Sequence, residues 1–401
     1  MSFQKTVLVY RNELLPISET FIKEQMLALH YWRPVLVGRR LLNQLPLDDI
    51  DVRIVGLRHS TTATNVVSKL RRALGVVPSK VIEELKSENP LLVHAHFGID
   101  ALDAWPIARA LKVPMLVTLH GYDINTHRAW WEAGHGGIRM RFYPRRLLRL
   151  ARRPHVSFVA VSQALRRRAI GFGIPAEKIA VSYIGIDIRK FRTGDVPIAQ
   201  RALRVLFIGR LVEKKGCEFL ISAMSRVQKE LPAAQLTVVG DGPLRQDLEQ
   251  MARTLNVRIS FLGAQSSADV KRELDASRVM CLPSVTARNG DAEGFGQVLL
   301  EAQASGVPVV TSAFGGADEG IREGVTGFSF AERDVERLAQ TLTKLLTNDE
   351  LLTQMAHEGP SFVASKFDVI ERTKKLEILY GQLGLAQQTR QSKTTNSSTH
   401  R

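Results

Sequence analysis

Cysteine is nearly missing from this chain: Cys217 and Cys281 are its only two in 401 residues. Two thiols build neither a disulfide framework nor a four-ligand zinc site. Both fall in apolar stretches that read as a helix and a buried strand, so they are expected to be small core fillers in a reducing compartment. No apolar run approaches the roughly 18 residues that span a bilayer. The opening Met1-Ser2-Phe3-Gln4-Lys5 leads into a strand without the apolar core of a signal peptide. A cytoplasmic protein is expected. Aromatics make up only 6% of the chain, and few sit among its arginines. Zinc-finger spacing and aromatic-glycine RNA-binding runs are lacking too, which argues against nucleic acid as a partner. Metal-binding patterns are equally thin. Asp49-Ile50-Asp51 spells Asp-x-Asp but precedes a strand, the wrong end for a ligand in a parallel sheet, and reads as a surface turn. His94 and His96 lack a third ligand at recognisable spacing and suit packing or acceptor contacts better than a metal. Neither a metal nor a cofactor is expected.

What is present in excess is positive charge, and it is unevenly placed. Residues 1–190 hold 29 Lys and Arg against 15 Asp and Glu, whereas the remainder holds 26 against 25. Nearly all of the formal +15 therefore belongs to the first half and points to a local partner. After Pro144, Arg145, Arg146, Arg149, Arg152 and Arg153 recur at helical spacing, with Leu147, Leu148, Leu150 and Ala151 on the other face. The spacing predicts a basic amphipathic helix suited to an anionic membrane surface.

Short apolar strands alternate with helices along the first half. Strands are expected at 6–10, 35–37, 52–57, 91–93, 115–119, 157–161 and 179–184. Helices are expected at 19–29, with Ser18 as N-cap, and at 99–111 and 163–169. The periodicity lapses at Thr193-Gly194-Asp195-Val196-Pro197, which reads as a linker. A second alternating unit follows, with strands at 203–208, 236–239, 259–262, 279–282 and 307–310. Strands buried on both faces and separated by helices specify parallel, doubly wound sheets. Two such α/β domains leave a cleft, with ligands at the carboxyl ends of the strands.

The most informative run is Glu293-Gly-Phe-Gly-Gln-Val-Leu-Leu-Glu301. Gly294 and Gly296 lie where an apolar strand hands over to a helix. There, backbone N–H groups and the positive end of the helix dipole suit an anionic or polyhydroxyl ligand. Glu301 lies about one helical turn beyond Gln297, so both carboxylates can face one crevice. Acceptor-only carboxylates around N–H donors suit a sugar joined to a phosphate.

This run resembles the Glu-x7-Glu signature of retaining glycosyltransferases of the GT-B fold, family 4 type. Further pieces recur in order from about residue 5 to residue 384: Thr118-Leu119-His120-Gly121-Tyr122-Asp123, Ala160-Val161-Ser162, Phe207 through Gly216, Val239-Gly240-Asp241-Gly242-Pro243-Leu244 and Phe261-Leu262-Gly263. In place of the Gly-Gly loop that many relatives carry after the first strand stands Asn12 through Phe21. Its Ser-Glu-Thr-Phe run resembles a branch making colanic-acid- and amylovoran-type exopolysaccharides.

The resemblance implies two Rossmann-like domains facing a central cleft. Residues 1–192 would bind the acceptor and 193–366 the nucleotide sugar. Residues 367–384 would form a crossover helix packing back on the first domain, and 385–401 a disordered tail. It implies metal-independent transfer of a hexosyl group from a UDP- or GDP-linked donor to a lipid-linked saccharide at the inner face of the cytoplasmic membrane.

By resemblance, Arg210 and Lys215 stabilise the departing diphosphate and Glu293 holds the donor sugar. Glu301 holds the ribose, and Gly294, Phe295 and Gly296 complete the pocket with their backbone. Gly240 and Gly242 let a strand end approach the nucleotide, and Gly263 lies near the base. His120 lies beside the reacting sugar and, with Asp123, helps place the acceptor; Ser18 or a backbone N–H would supply the loop's contact to phosphate. A sugar-nucleotide epimerase on the same fold is the alternative, but such an enzyme has no use for a basic membrane face. A dinucleotide oxidoreductase is disfavoured because Gly240-Asp241-Gly242 lacks the third glycine of that motif.

Overall fold

The computed structural model of the chain describes residues 5–42, 44–55, 75–312 and 315–398, with side chains undescribed at 17 and 386–398. It divides into two compact units. One comprises the described residues of Met1–Val161, Leu165–Gly185 and Val369–Arg401; the other comprises Ile186–Asp368 with Ser162–Ala164. The changeovers fall at 185/186 and 368/369, so the 193–197 stretch lies inside the second unit instead of at its edge.

In the first unit the strands are β1 (Lys5–Tyr10), β2 (Glu13–Leu14), β3 (Trp32–Gly38), β4 (Arg40–Leu41), β5 (Asp51–Ile54), β6 (Pro90–His96), β7 (Met115–Leu119), β8 (Val156–Ala160) and β9 (Ile179–Val181). Seven of them form one parallel sheet in the order β5-β3-β1-β6-β7-β8-β9, while β2 and β4 pair separately. Every residue of β7 is buried, as expected of an apolar run covered on both faces. Chain order reverses between β1 and β6, and doubly wound folds put ligands at the carboxyl ends flanking that reversal. Strand β5 ends at Ile54, short of the expected 57, and residues 56 and 57 lie outside the described chain.

The first helix departs from its predicted cap. It spans Thr20–Leu27 and follows a single 3-10 turn, Ile17–Glu19; no side chain caps either one, and Ser18 is exposed. Pro16 sets that turn, and Glu19 is engaged by Arg11 through two hydrogen bonds of 2.8 and 2.6 Å. The Asp-x-Asp residues are held apart by separate cations, Asp49 by Lys23 at 2.8 Å and Asp51 by Arg33 at 2.7 Å.

The basic helix spans Tyr143–Ala151, so Arg152 caps it and Arg153 lies beyond. Its apolar side, Tyr143, Pro144, Leu147 and Leu150, is buried in its own unit. It packs on the helix Gly98–Leu111. An in-plane membrane helix would need that side for lipid, so only the arginine side is available to a partner.

The last helix runs Val369–Ser398, without the break expected at 385. Residues 385–398 contain no proline or glycine to stop it, and helix propagation beyond a packed nucleus needs only one bond per added residue. This helix packs on the first unit. The Glu377 carboxylate accepts from the backbone N–H groups of His30, Tyr31 and Trp32 at 2.9, 2.7 and 3.0 Å. The Tyr380 ring meets Trp32 edge-on. No helix among the described residues is long and apolar enough to cross a membrane.

The second unit contains β10 (Arg204–Ile208), β11 (Gln235–Val239), β12 (Ile259–Gly263), β13 (Val279–Leu282), β14 (Val309–Ser312) and β15 (Gly327–Phe330), all parallel in the order β12-β11-β10-β13-β14-β15. Its reversal lies between β10 and β13. Cys217 opens the helix Cys217–Glu230 and Cys281 lies in β13; both are buried, and burial pushes both thiols up.

Candidate functional site

In the second unit, two loops leave the sheet on either side of its reversal and meet. After β10 the chain makes a 3-10 turn, Glu213–Lys215, closed by Gly216 in the left-handed region at φ 64°. A Cβ there would lie 2.0 Å from the Pro283 carbonyl oxygen, so only glycine lets the turn rest on the loop after β13. The Val285 N–H donates to the Lys214 carbonyl at 2.9 Å and fastens the contact. The result is two lysine–carboxylate pairs side by side. Lys215 Nζ donates to Glu293 in a part-buried ion pair, and Lys214 lies 3.0 Å from Asp291.

Burial alone would raise the Glu293 carboxyl, but the Lys215 and Lys214 charges outweigh it and hold the group at about 2. Burial raises Asp291, with Lys214 opposing. The Ser284 hydroxyl donates to Glu293 at 3.4 Å.

Three residues after Glu293, Gly296 adopts φ 75° and caps the helix Gln297–Ala304, so Glu293 sits at the positive end of that helix. Glu301 lies on its second turn, half-buried. Phe295 is buried and its ring lies 5.4 Å from that of Phe367, which leaves only its backbone for a ligand. Arg210 is exposed and its guanidinium has no partner among the described residues.

The remaining glycines at the strand ends have a packing reason of their own. A Cβ on Gly240 would lie 2.0 Å from the Gly209 carbonyl oxygen, and one on Gly242 would lie 2.4 Å from that of Leu211. They admit neighbouring backbone, and through it the close approach of β10 and β11. Gly263, at φ 72°, ends β12 and accepts from the Gly240 N–H at 2.8 Å.

At the carboxyl ends of β6 and β7 the first unit gathers three histidines. His94 and His96 end β6, and His120 follows β7. His94 Nδ1 lies 2.6 Å from the Tyr380 hydroxyl and its Nε2 lies 2.7 Å from Thr118 Oγ1. His96 Nδ1 faces His120 Nε2 at 3.0 Å with the rings stacked, so one of the two nitrogens carries the shared proton. His96 Nε2 is buried without a partner among the described residues. Burial pushes His94 down to about 3. Burial first, then the Arg11 and His94 charges, pushes His120 well below its ordinary value.

Asp123 is fully buried and accepts from the backbone N–H groups of Gly98, His120 and Gly121 at 2.8, 3.2 and 3.0 Å. Burial raises it to about 6 in spite of those donors. Asp123 therefore clamps the His120 turn and offers no oxygen to a ligand.

Sequence reasoning located Glu293, Lys215 and His120 but missed their supports. The missed residues are Lys214 with Asp291, the Tyr380–His94 link and the ion-pair cluster of Arg11 with Glu19 and Asp100. Gly315 and Gly316 were missed as well: their Cβ atoms would press on the carbonyl oxygens of Glu293 and Gly294 at 2.6 and 2.1 Å. The doublets Lys214-Lys215 and Gly315-Gly316 were the available signals. The Arg11 cluster ties down the segment that stands where many relatives carry a Gly-Gly loop, with the Arg11 guanidinium 4.4 Å over the Phe97 ring.

Comparison with known proteins agrees with this layout. The model of the family described as Glycosyltransferase Family 4 matches residues 30–190, and that of Glycosyl transferases group 1 matches residues 191–362. The chain is 31% identical over 255 residues to the amylovoran biosynthesis glycosyltransferase AmsK of Erwinia amylovora, covering 62% of this chain and 60% of that protein. It is 30% identical over 263 residues to the putative colanic acid biosynthesis glycosyltransferase WcaL of Escherichia coli, covering 64% and 62%. These alignments thus span a little under two thirds of either relative. Among solved structures, Anabaena HepE in complex with UDP and glucose superposes with a TM-score of 0.76 at 22% identity, over 94% of this chain and 99% of that one. Sucrose-phosphate synthase from Thermosynechococcus elongatus superposes with a TM-score of 0.75 at 18% identity, over 96% and 100%. With the two family models together accounting for residues 30–362, the chain belongs to the glycosyltransferases that join a family 4 half to a group 1 half on the GT-B fold.

Proposed function

We propose that this protein is a retaining, metal-independent glycosyltransferase of exopolysaccharide assembly, moving a hexosyl group from a nucleotide sugar to a lipid-linked saccharide at the cytoplasmic membrane face. The observation that carries the reading is the part-buried Lys215–Glu293 pair at the N-terminus of the helix Gln297–Ala304, with the uncommitted Arg210 guanidinium after the same strand as Lys215. Two cations after one strand end suit a leaving diphosphate without a divalent ion: Arg210 can bind its oxygens in a bidentate manner, and Lys215 keeps further N–H donors beside Glu293. Glu293, held ionised, would accept from donor-sugar hydroxyls, and Glu301 from the ribose. Gly294, Phe295 and Gly296 would contribute backbone, and Gly240, Gly242 and Gly263 would shape the nucleotide side. In transfer, the bond from the sugar's anomeric carbon to the diphosphate oxygen breaks and a bond to the acceptor hydroxyl oxygen forms on the same face. The diphosphate carries away the electron pair, and the hydroxyl proton passes to it or to solvent.

On the first unit, neutral His120, held by His96 and by the Asp123-clamped turn, would hydrogen-bond a hydroxyl of the reacting sugars. Ser18 stands exposed for the loop contact. Support for the biology comes from the two relatives whose names carry amylovoran and colanic acid biosynthesis.

The test is a screen of UDP- and GDP-sugars, with released nucleotide as readout. One donor should be turned over in the presence of excess EDTA. Glu293→Ala, still folded, should lose about 10²–10³ in rate, since a charged contact to the transition state is worth about 2–4 kcal/mol. Full activity in that variant would remove Glu293 from the site, and loss on chelation restored by Mg²⁺ would remove metal independence.

A further inference from the structure

The packed helices Gly98–Leu111 and Tyr143–Ala151 leave a groove of about 210 Å³, and its walls are unusual in charge. Arg146, Arg149 and Arg153 line one side, spaced so that they project along one face, and Arg109 lines it from the last turn of the other helix. Trp105 and Leu150 supply apolar wall. No carboxylate among the described residues lines the groove. None of the four guanidiniums has a hydrogen-bond or ion-pair partner among the described residues.

Several arginines elsewhere in this unit are engaged: Arg11, Arg33, Arg53 and Arg128 each meet a carboxylate, and Arg141, Arg166 and Arg168 donate to backbone carbonyls. A helix C-terminus favours one nearby cation, but it does not account for four converging on one groove from two helices. Four like charges sharing this volume repel one another, and an anion with several acceptor oxygens relieves the repulsion.

We propose that this groove is a phosphate site, formed by Arg109, Arg146, Arg149 and Arg153, that takes the phosphate or diphosphate head of a lipid at a bilayer surface. At about 210 Å³ it lies below the size of pockets that enclose a whole small-molecule ligand, so a head group fits where a sugar nucleotide does not. The surroundings favour a lipid over a free phosphate. The turn entering the basic helix exposes Ile138 at 79% and Phe142 at 57%, apolar side chains that a soluble anion would not need and an interface would bury. The proposal deepens the membrane part of the reading above. It does not depend on the transfer chemistry.

It also sorts the arginines. Arg146 and Arg149 line the groove, whereas Arg145 and Arg152 are exposed and lie outside it. The test compares the full chain with Arg146→Gln/Arg149→Gln and with Arg145→Gln/Arg152→Gln, which remove equal charge. Inorganic pyrophosphate binding is measured by calorimetry with UDP and GDP in excess, so that the diphosphate site proposed at Arg210 and Lys215 is filled. Vesicle binding is measured by co-sedimentation with phosphatidylglycerol and with phosphatidylcholine vesicles, and thermal unfolding confirms that each variant is folded.

The wild type should bind pyrophosphate and phosphatidylglycerol vesicles, each competing with the other. The groove variant should lose roughly tenfold or more in both, and the other variant only a fewfold in vesicle binding. Pyrophosphate binding that depends on Arg146 and Arg149 without vesicle binding would keep the phosphate site and assign it a free phosphate. Equal loss in both variants, or no pyrophosphate binding by the wild type, would overturn the groove and leave at most a diffuse charged surface. Unchanged vesicle binding in both variants would overturn the membrane reading as well.

Discussion

The two units share a parallel sheet wound outward from a central reversal, and they treat the ionisable groups at its carboxyl end in opposite ways. In the first unit, burial is left to win over the histidines: it drives His94 and His120 down, so these rings exchange hydrogen bonds as neutral species, and it lifts Asp123 to about 6. In the second, two lysines defeat burial and keep Glu293 ionised, at about 2. The same fold address can therefore be made neutral or charged by one or two residues on the adjoining loop. A neutral edge suits the hydroxyls of an acceptor, which carry no charge through binding. A charged edge suits a diphosphate and the sugar it leaves behind. The contrast between the units is thus the electrostatic difference between the two substrates proposed for them.

The contrast breaks most directly at Lys215. Lys215→Met leaves the part-buried Glu293 carboxylate beside only Lys214; removing one partner of a fully buried pair costs about 3–5 kcal/mol, which is the upper bound here. The double variant Lys215→Met/Glu293→Gln should recover much of that loss, because it leaves no unpaired charge. In the first unit, His94→Phe removes the bonds to Tyr380 and Thr118, neutral–neutral contacts worth about 1–2 kcal/mol together. Urea unfolding of the wild type, these three variants and the single Glu293→Gln checks this ordering. Strictly additive losses at Lys215 and Glu293 would mean that the pair does not set the charge of this edge.

The pH dependence should run in opposite directions in the two units. Glu293 is depressed from 4.5 to about 2 in the folded protein, so its contribution is present above pH 4.5 and is lost as pH falls toward 2. Asp123 is raised from 3.8 to about 6, so its contribution is present below pH 3.8 and is lost as pH rises through 6. Each shift is worth about 3 kcal/mol at 1.36 kcal/mol per pH unit. Stability of the wild type relative to Glu293→Gln should therefore climb between pH 2 and 4.5. Relative to Asp123→Asn it should fall between pH 3.8 and 6. Slopes of the same sign would erase the distinction between a neutral and a charged edge.

Much of this architecture was legible in the sequence because parallel strands buried on both faces leave an unambiguous apolar signature, as in 115–119 and 279–282. The Glu293–Glu301 run was legible because glycine at a strand-to-helix turn is a local signal. What escaped were contacts made across long separations by ordinary residues. Nothing local marks Tyr380 as the partner of His94, nor Glu377 as the acceptor for His30, Tyr31 and Trp32, because those bonds form only when the last helix docks on the first unit. The basic helix and its arginine side were found, but what covers its other side was not: amphipathic periodicity shows that a helix has two faces, not whether protein or lipid covers the apolar one. Gly240 and Gly242 were noticed for their flexibility, but the backbone they admit, at Gly209 and Leu211, was not.

Helix starts offer the smallest and cleanest separation of the two units. Ser18 looked like a cap from its place before an apolar-periodic stretch, yet no side chain caps the helix Thr20–Leu27. Ser266, in the second unit, has the same kind of address and does cap. Its hydroxyl accepts from the Asp269 N–H at 3.3 Å, and the Asp269 carboxylate accepts in return from the Ser266 N–H at 3.3 Å, a reciprocal box at the start of Ser267–Asp275. The difference is chain direction: Pro16 leads the first helix in through a 3-10 turn that carries Ser18 past the cap position, whereas Ser266 is extended, at φ −69° and ψ 160°, as a cap must be. Ser266→Ala should therefore cost about 1 kcal/mol, and Ser18→Ala no more than a few tenths. Urea midpoints of the two variants at constant slope read the difference. A loss of about 1 kcal/mol at Ser18 would mean that its hydroxyl does cap the first helix in solution.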